Sequence, residues 1–263
     1  MNQRDSAFCA KPVQRPASAT RMLPRSSRIT RQNLQKTLSV ASRVATRKPP
    51  VRPAPKKISI ARLPVTGSDL FGRDEDIAFL DRAWSNQRVN IVTIVAWAGV
   101  GKSALVNHWL GQMAAKDYRS TELVFGWSFY RQGTTGKSST ADEFLDVALT
   151  WFGDPEPRLG TAWEKGERFA KLIARRRTLL VLDGLEPLQN PPGSQEGRLR
   201  DPSLQALLRE LVAFNRGLCV ITTRTPVADI ADHERTSALR LDLEHLAGDA
   251  GANLLRALGV KGD

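Results

Sequence analysis

The run Val89–Val95 (Val-Asn-Ile-Val-Thr-Ile-Val) leads without a break into Ala96-Trp97-Ala98-Gly99-Val100-Gly101-Lys102-Ser103, and a helical pattern, Gly101–Met113, opens from that turn. A β-branched strand that delivers a glycine-bearing turn to the first turn of a helix leaves few folds open. The rest of the chain repeats the same alternation. Apolar strands are expected at Leu123–Tyr130, Thr178–Leu182, Leu218–Thr222 and Ala238–Leu241. Helices are expected at Arg73–Trp84, Ser138–Phe152, Trp163–Ala174, Leu204–Phe214 and Ala250–Leu258. Continuously apolar strands, rather than alternating ones, are the pattern of a sheet covered on both faces. The expected fold class is therefore α/β, a three-layer arrangement around a mostly parallel sheet.

The turn itself carries chemistry. Its eight residues have phosphate-loop spacing, with Ala96 where the first glycine usually stands. Gly99 and Gly101 let the backbone curl so that successive N–H groups face one point, and the helix N-terminus adds its dipole. In such a loop Lys102 reaches the β- and γ-phosphates and the Ser103 hydroxyl ligates magnesium. A second stretch, Gly133-Thr-Thr-Gly-Lys-Ser138, imitates the motif. Counting back places Arg131 at its first position, where a bulky side chain obstructs the tight approach a small residue permits.

Two further strand ends complete the pattern. Leu179-Leu-Val-Leu-Asp-Gly-Leu-Glu186 puts Asp183 at the carboxyl end of a buried strand, where open α/β sheets bind ligands. Asp183 is expected to hold magnesium opposite Ser103, and Glu186 to orient or activate water. In Cys219-Val-Ile-Thr-Thr-Arg224, Thr222 or Thr223 is a candidate to sense a γ-phosphate, and Arg224 to pair with it. The aromatics of Gly126-Trp-Ser-Phe-Tyr130 alternate as a strand should and are read as core. His108, His233 and His245 have no metal-ligand spacing.

Charge divides the chain sharply. The net charge is +12, yet residues 1–60 hold 14 Lys/Arg and one acid, leaving 25 basic and 26 acidic residues in 61–263, a net of −1. Residues 1–62 are expected to form a disordered basic leader, with Lys48–Lys57 extended by its prolines. The same composition also suits contact with nucleic acid or a transit peptide. Cys9 and Cys219 lie far apart and match no redox or metal spacing, and no apolar run nears the roughly 20 residues a spanning helix needs. A cytoplasmic location is expected.

Taken in order, these motifs resemble the nucleotide-binding domain of STAND-class signalling NTPases, in the NB-ARC/NACHT-like group, over roughly residues 69–263. Phe71-Gly72-Arg73 is similar to the short signature that packs near the adenine in that group. The resemblance implies nucleotide contacts from Phe71, Gly72, Arg73, Ala96, Trp97, Ala98, Gly99, Val100, Gly101, Lys102, Ser103, Ala104, Thr223 and Arg224. It implies magnesium at Ser103 and Asp183, and catalytic roles for Lys102, Glu186 and Arg224. ATP or ADP with Mg2+ is the implied cofactor. Self-association or an effector or sensor protein is the implied partner, with nucleic acid reached only through the leader. Pro187 stands where NACHT-type members commonly carry a further acid, which implies slow hydrolysis or none. Residues 69–242 would be the NTPase domain and 243–263 the start of a helical subdomain, cut before the winged helix. An AAA-type ATPase of the replication-initiator kind and a non-catalytic nucleotide-binding fragment are the rival readings.

Overall fold

The structure is a computed structural model that describes residues 55–67, 69–130 and 139–260. The imitation motif at Gly133–Ser138, with Arg131, lies outside the described residues, as does most of the basic leader.

Six strands form one parallel sheet: β1 (Lys57–Arg62), β2 (Ile91–Val95), β3 (Leu123–Ser128), β4 (Thr178–Asp183), β5 (Leu218–Thr223) and β6 (Ala238–Asp242). Their spatial order is β1-β3-β4-β5-β2-β6. The cause is burial: β2, β3, β4 and β5 are buried along their whole length, so both faces favour apolar residues, and the one charged residue among them, Asp183, stands at a strand's end. The helices are α1 (Asp74–Ser85), α2 (Lys102–Ala114), α3 (Ala141–Phe152), α4 (Ala162–Ala174), α5 (Pro202–Ala213) and α6 (Gly248–Ala257).

Alternate strand residues feed two cores. Leu180, Leu182, Cys219 and Ile221 pack with α3, α4 and α5, where Phe144 meets Trp127, Phe129 and Phe169 at ring-centroid distances of 5.5, 5.5 and 5.6 Å. Leu179, Val181, Val92 and Ile94 face the other way onto α1 and α2. The result is three layers, helix–sheet–helix. Local signals fix where the helices begin. The Thr140 hydroxyl accepts from the Glu143 amide, Thr161 and Glu164 form a reciprocal capping box, and Asp201 caps α5 ahead of Pro202.

One expectation is corrected. Lys57–Arg62 is a strand on the sheet's edge, paired to β3, within the segment read as leader. Its charges misled because each is engaged. Lys57 Nζ lies 4.4 Å from the Trp151 ring centroid and the Arg62 guanidinium 4.1 Å from that of Trp127, and Arg62 also pairs with Glu143 at 3.3 Å. An edge strand half-open to solvent has no continuous apolar run to betray it. Among the described residues, no helix is long and apolar enough to cross a membrane.

Candidate functional site

Register brings the motifs to one edge. Val95 lies beside Thr223, Leu182 beside Ile221, and Ser128 beside Asp183, so four strands end together under the turn that follows β2. In that turn Gly99 has φ +79° and Gly101 φ +104°. A Cβ at either would meet nothing, so glycine is required by backbone conformation and not by crowding. Gly101 starts α2 with no side-chain cap, and no acidic residue occupies the first turn. The first amides of α2 and the positive end of its dipole are thereby left available to an anion.

Lys102 folds over the turn, and its Nζ donates to the carbonyls of Ala96 at 2.7 Å and Trp97 at 3.0 Å. Burial pulls this ammonium below the usual lysine range, and Arg224 adds to the effect, while Glu186 and Asp183 oppose it. Ala96 continues the sheet by donating its amide to the Thr223 carbonyl at 3.2 Å, and it is buried, which explains why a small residue suffices there. Trp97 is 78% exposed.

Asp183 is the hub. Its Oδ1 accepts from Ser103 Oγ and Thr222 Oγ1, both at 2.8 Å, and its Oδ2 accepts from Ser128 Oγ at 3.0 Å. Three hydroxyls thus hold one carboxylate at the mouth of the loop. Glu186 opens a single helical turn, Glu186–Leu188, and its Oε1 lies 2.9 Å from Arg224 Nε. Its Oε2 is buried and without a hydrogen-bond partner. Tyr130 stands beside this pair. Burial, reinforced by the Glu186 charge, pushes its phenol up to about 12.

Not every expected residue points at the loop. The Thr223 hydroxyl is fully buried and donates to Gln189 Oε1, so Thr222, not Thr223, is the threonine that reaches Asp183. Adjacent strand residues face opposite sides, and only one of the two can meet a given neighbour. Phe71 and Gly72 precede α1, and Gly72, at φ +59°, lies against Ala250. Arg73 is buried. It donates to the Val100 carbonyl at 3.2 Å and the Glu244 carbonyl at 2.7 Å, and pairs with Asp76 at 3.3 Å. Ala98, Val100 and Ala104 contribute backbone to the turn and the first helical turn. Sequence reasoning missed Ser128, at the end of β3, and Gln189, just after the helical turn, and read Tyr130 as core.

A cavity of about 630 Å3 adjoins the loop, lined by Trp97, Val100, Arg224, Asp242 and His245 among others. A second, of about 650 Å3, lies between Leu63–Gly67 and α2; no expected site residue lines it. Among the described residues no cluster of three His, Cys, Asp or Glu could hold a metal. Magnesium does not need one, because it is usually held by one or two protein oxygens together with phosphates and water. The Ser103–Asp183 pair and the unpartnered Glu186 oxygen fit that donor chemistry.

Parallel sheet, uncapped glycine loop and hydroxyl-bound aspartate together define a P-loop NTPase. A NACHT domain model matches residues 90–259, and the chain belongs to that family. The match starts after Phe71–Arg73. No curated protein matches the chain. Among solved structures, the Orc1 protein of Aeropyrum pernix in complex with DNA is similar at 16% identity and a TM-score of 0.49, over 73% of this chain and 50% of that one. A chain of the E. coli MS115-1 HORMA:CdnC:Trip13 complex is similar at 15% identity and a TM-score of 0.44, over 73% and 71%. The chain therefore spans about half the length of the Orc1 protein it matches.

Proposed function

We propose that this NACHT-family chain is a nucleotide-dependent switch that takes ATP or ADP with Mg2+ and hydrolyses ATP slowly or not at all. The observation that carries the reading is the 2.8 Å hydrogen bond from Ser103 to Asp183 at the mouth of the uncapped loop. It joins the two side chains that a phosphate-bound magnesium requires. The amides of Gly99 to Ala104 and the Lys102 ammonium would receive the phosphates, and Ser103 with Asp183 would hold the cation. When bound, the cation neutralises charge that develops on the phosphates. Arg224 supplies a second cation at the far side of the loop, and Glu186 a carboxylate to orient water.

Slow turnover is supported by the Glu186–Arg224 ion pair. While that pair stands, Glu186 Oε1 is committed to the guanidinium and is not free to orient an attacking water. Adenine preference and an effector or self-association partner follow from the family resemblance, and a cytoplasmic location from the cysteine usage.

The test is nucleotide binding by the purified protein with ATP, ADP and GTP in the presence of Mg2+, beside Lys102→Ala. The expected result is adenine-nucleotide binding that weakens at least about tenfold in the variant, the scale of losing charge-assisted hydrogen bonds. A folded wild-type protein that binds none of the three would overturn the reading.

A further inference from the structure

The Tyr130 ring occupies a place that the sequence reading assigned to core packing, yet it is 42% exposed and stands at the carboxyl edge of the sheet. Three ties put it there. The neighbouring Phe129 amide donates to the Asp183 carbonyl at 2.9 Å, which extends the β3–β4 ladder past the strand end. The Tyr130 amide donates to Ser128 Oγ at 3.3 Å, and that same hydroxyl donates to Asp183 Oδ2. The ring itself covers Gly184, whose φ of +71° and missing Cβ make room for it; any side chain at that glycine would collide with Cδ2 of the tyrosine.

Above the ring lies Arg224, its guanidinium carbon 5.8 Å from the ring centroid. That falls within the roughly 6 Å reach of a cation–π contact. The same guanidinium is bound by Glu186 Oε1, 2.9 Å from its Nε. Arg224 is nearly half exposed, so these two contacts, one ionic and one aromatic, are what orient a long and otherwise mobile side chain.

We propose that Tyr130 is a positioning residue: its ring is the platform that holds Arg224 at the loop's far side, and it thereby sets how strongly the site prefers a nucleoside triphosphate over a diphosphate. This rests on the nucleotide-binding reading above and deepens it. The ring acts through Arg224 and touches no phosphate itself. A diphosphate, gripped by the loop amides and Lys102, does not depend on Arg224, whereas a third phosphate meets it.

The experiment measures affinities for ADP and for a non-hydrolysable ATP analogue, each with Mg2+, in wild type, Tyr130→Ala, Tyr130→Phe, Arg224→Ala and the Tyr130→Ala/Arg224→Ala double variant, with thermal melts alongside. Tyr130→Ala is expected to lower the triphosphate-to-diphosphate preference roughly three- to fivefold, the scale of an exposed cation–π contact, with ADP affinity within about twofold of wild type. Tyr130→Phe keeps the ring and should restore the preference. In the Arg224→Ala background, Tyr130→Ala should add nothing. Equal losses for both nucleotides, failure of Tyr130→Phe to restore, or a Tyr130→Ala effect that persists without Arg224 would each overturn the inference. So would a wild type that binds both nucleotides equally, which leaves the binding reading standing. A wild type that binds neither removes both.

Discussion

At Gly101 the chain adopts φ +104° at the very point where α2 begins. No neighbour would collide with a methyl group there, so the effect of Gly101→Ala is confined to the backbone and to what faces the loop. The expected stability loss is about 1–2 kcal/mol, the cost of an L-residue in a left-handed conformation. Nucleotide affinity should fall further than that figure implies, because the same turn aims the amides. Urea denaturation and a binding titration on the one variant separate the two effects. The residue scale also shows what a sequence can hide. Asp183 was legible because an apolar strand ending in an acid is distinctive once a phosphate loop precedes it. Ser128 was not, and Thr222 was legible only as one of two candidate phosphate sensors, since a serine or threonine at a strand end has no signature until the fold sets it beside Asp183. The choice between Thr222 and Thr223 needed the strand's facing, which only the packed sheet decides.

Between elements, the contact of α1 with α2 is fastened by Asp81. Its Oδ1 accepts from Trp109 Nε1 at 2.8 Å and from Arg119 at 2.7 Å, and its Oδ2 accepts from Arg119 at 3.1 Å. Arg119 belongs to a four-residue left-handed turn, Asp117–Ser120, with φ between +47° and +70°. Partial burial pushes the Asp81 carboxyl up, and the hydrogen bonds from Arg119 and Trp109 more than offset it, holding the group below its ordinary 3.8. A carboxylate lowered by folding adds stability above its unfolded value, and that contribution disappears as pH falls through the folded value. Wild type should therefore be more stable than Asp81→Asn at neutral pH, with the gap closing only below pH 3.8. Chemical denaturation of both proteins across that range checks it; a gap that closes between pH 5 and 7 would refute the assignment. The buried strands β2 to β5 were legible as elements because a strand between two helical layers is mostly apolar along its length. The edge strand β1 was not, because its lysine and arginine read as leader while in the fold they lie over Trp151 and Trp127.

Across the whole molecule, charge and fold are separated. The basic excess of +13 sits in residues 1–60, while 61–263 carry −1. Affinity for a polyanion should therefore reside almost entirely in the segment before β1. A protein lacking residues 1–54 is expected to keep its nucleotide affinity and to lose any DNA binding whose logarithm falls linearly with that of salt concentration. Salt-dependent DNA binding that survives the deletion would instead locate the surface on the sheet domain. Arg73 gives the domain a different kind of unity. Its guanidinium grips the tip of the phosphate loop at Val100, 27 residues from it in the chain, and the carbonyl of Glu244, 171 residues from it and just before α6. Both carbonyls share one nitrogen, Nη2, of a buried arginine: if the loop tip shifts, either the strand-to-helix joint after β6 travels with it or a hydrogen bond breaks. The start of α6 is in that sense geared to the loop, so that whatever rides on this helix is placed to register the loop's position without touching the ligand.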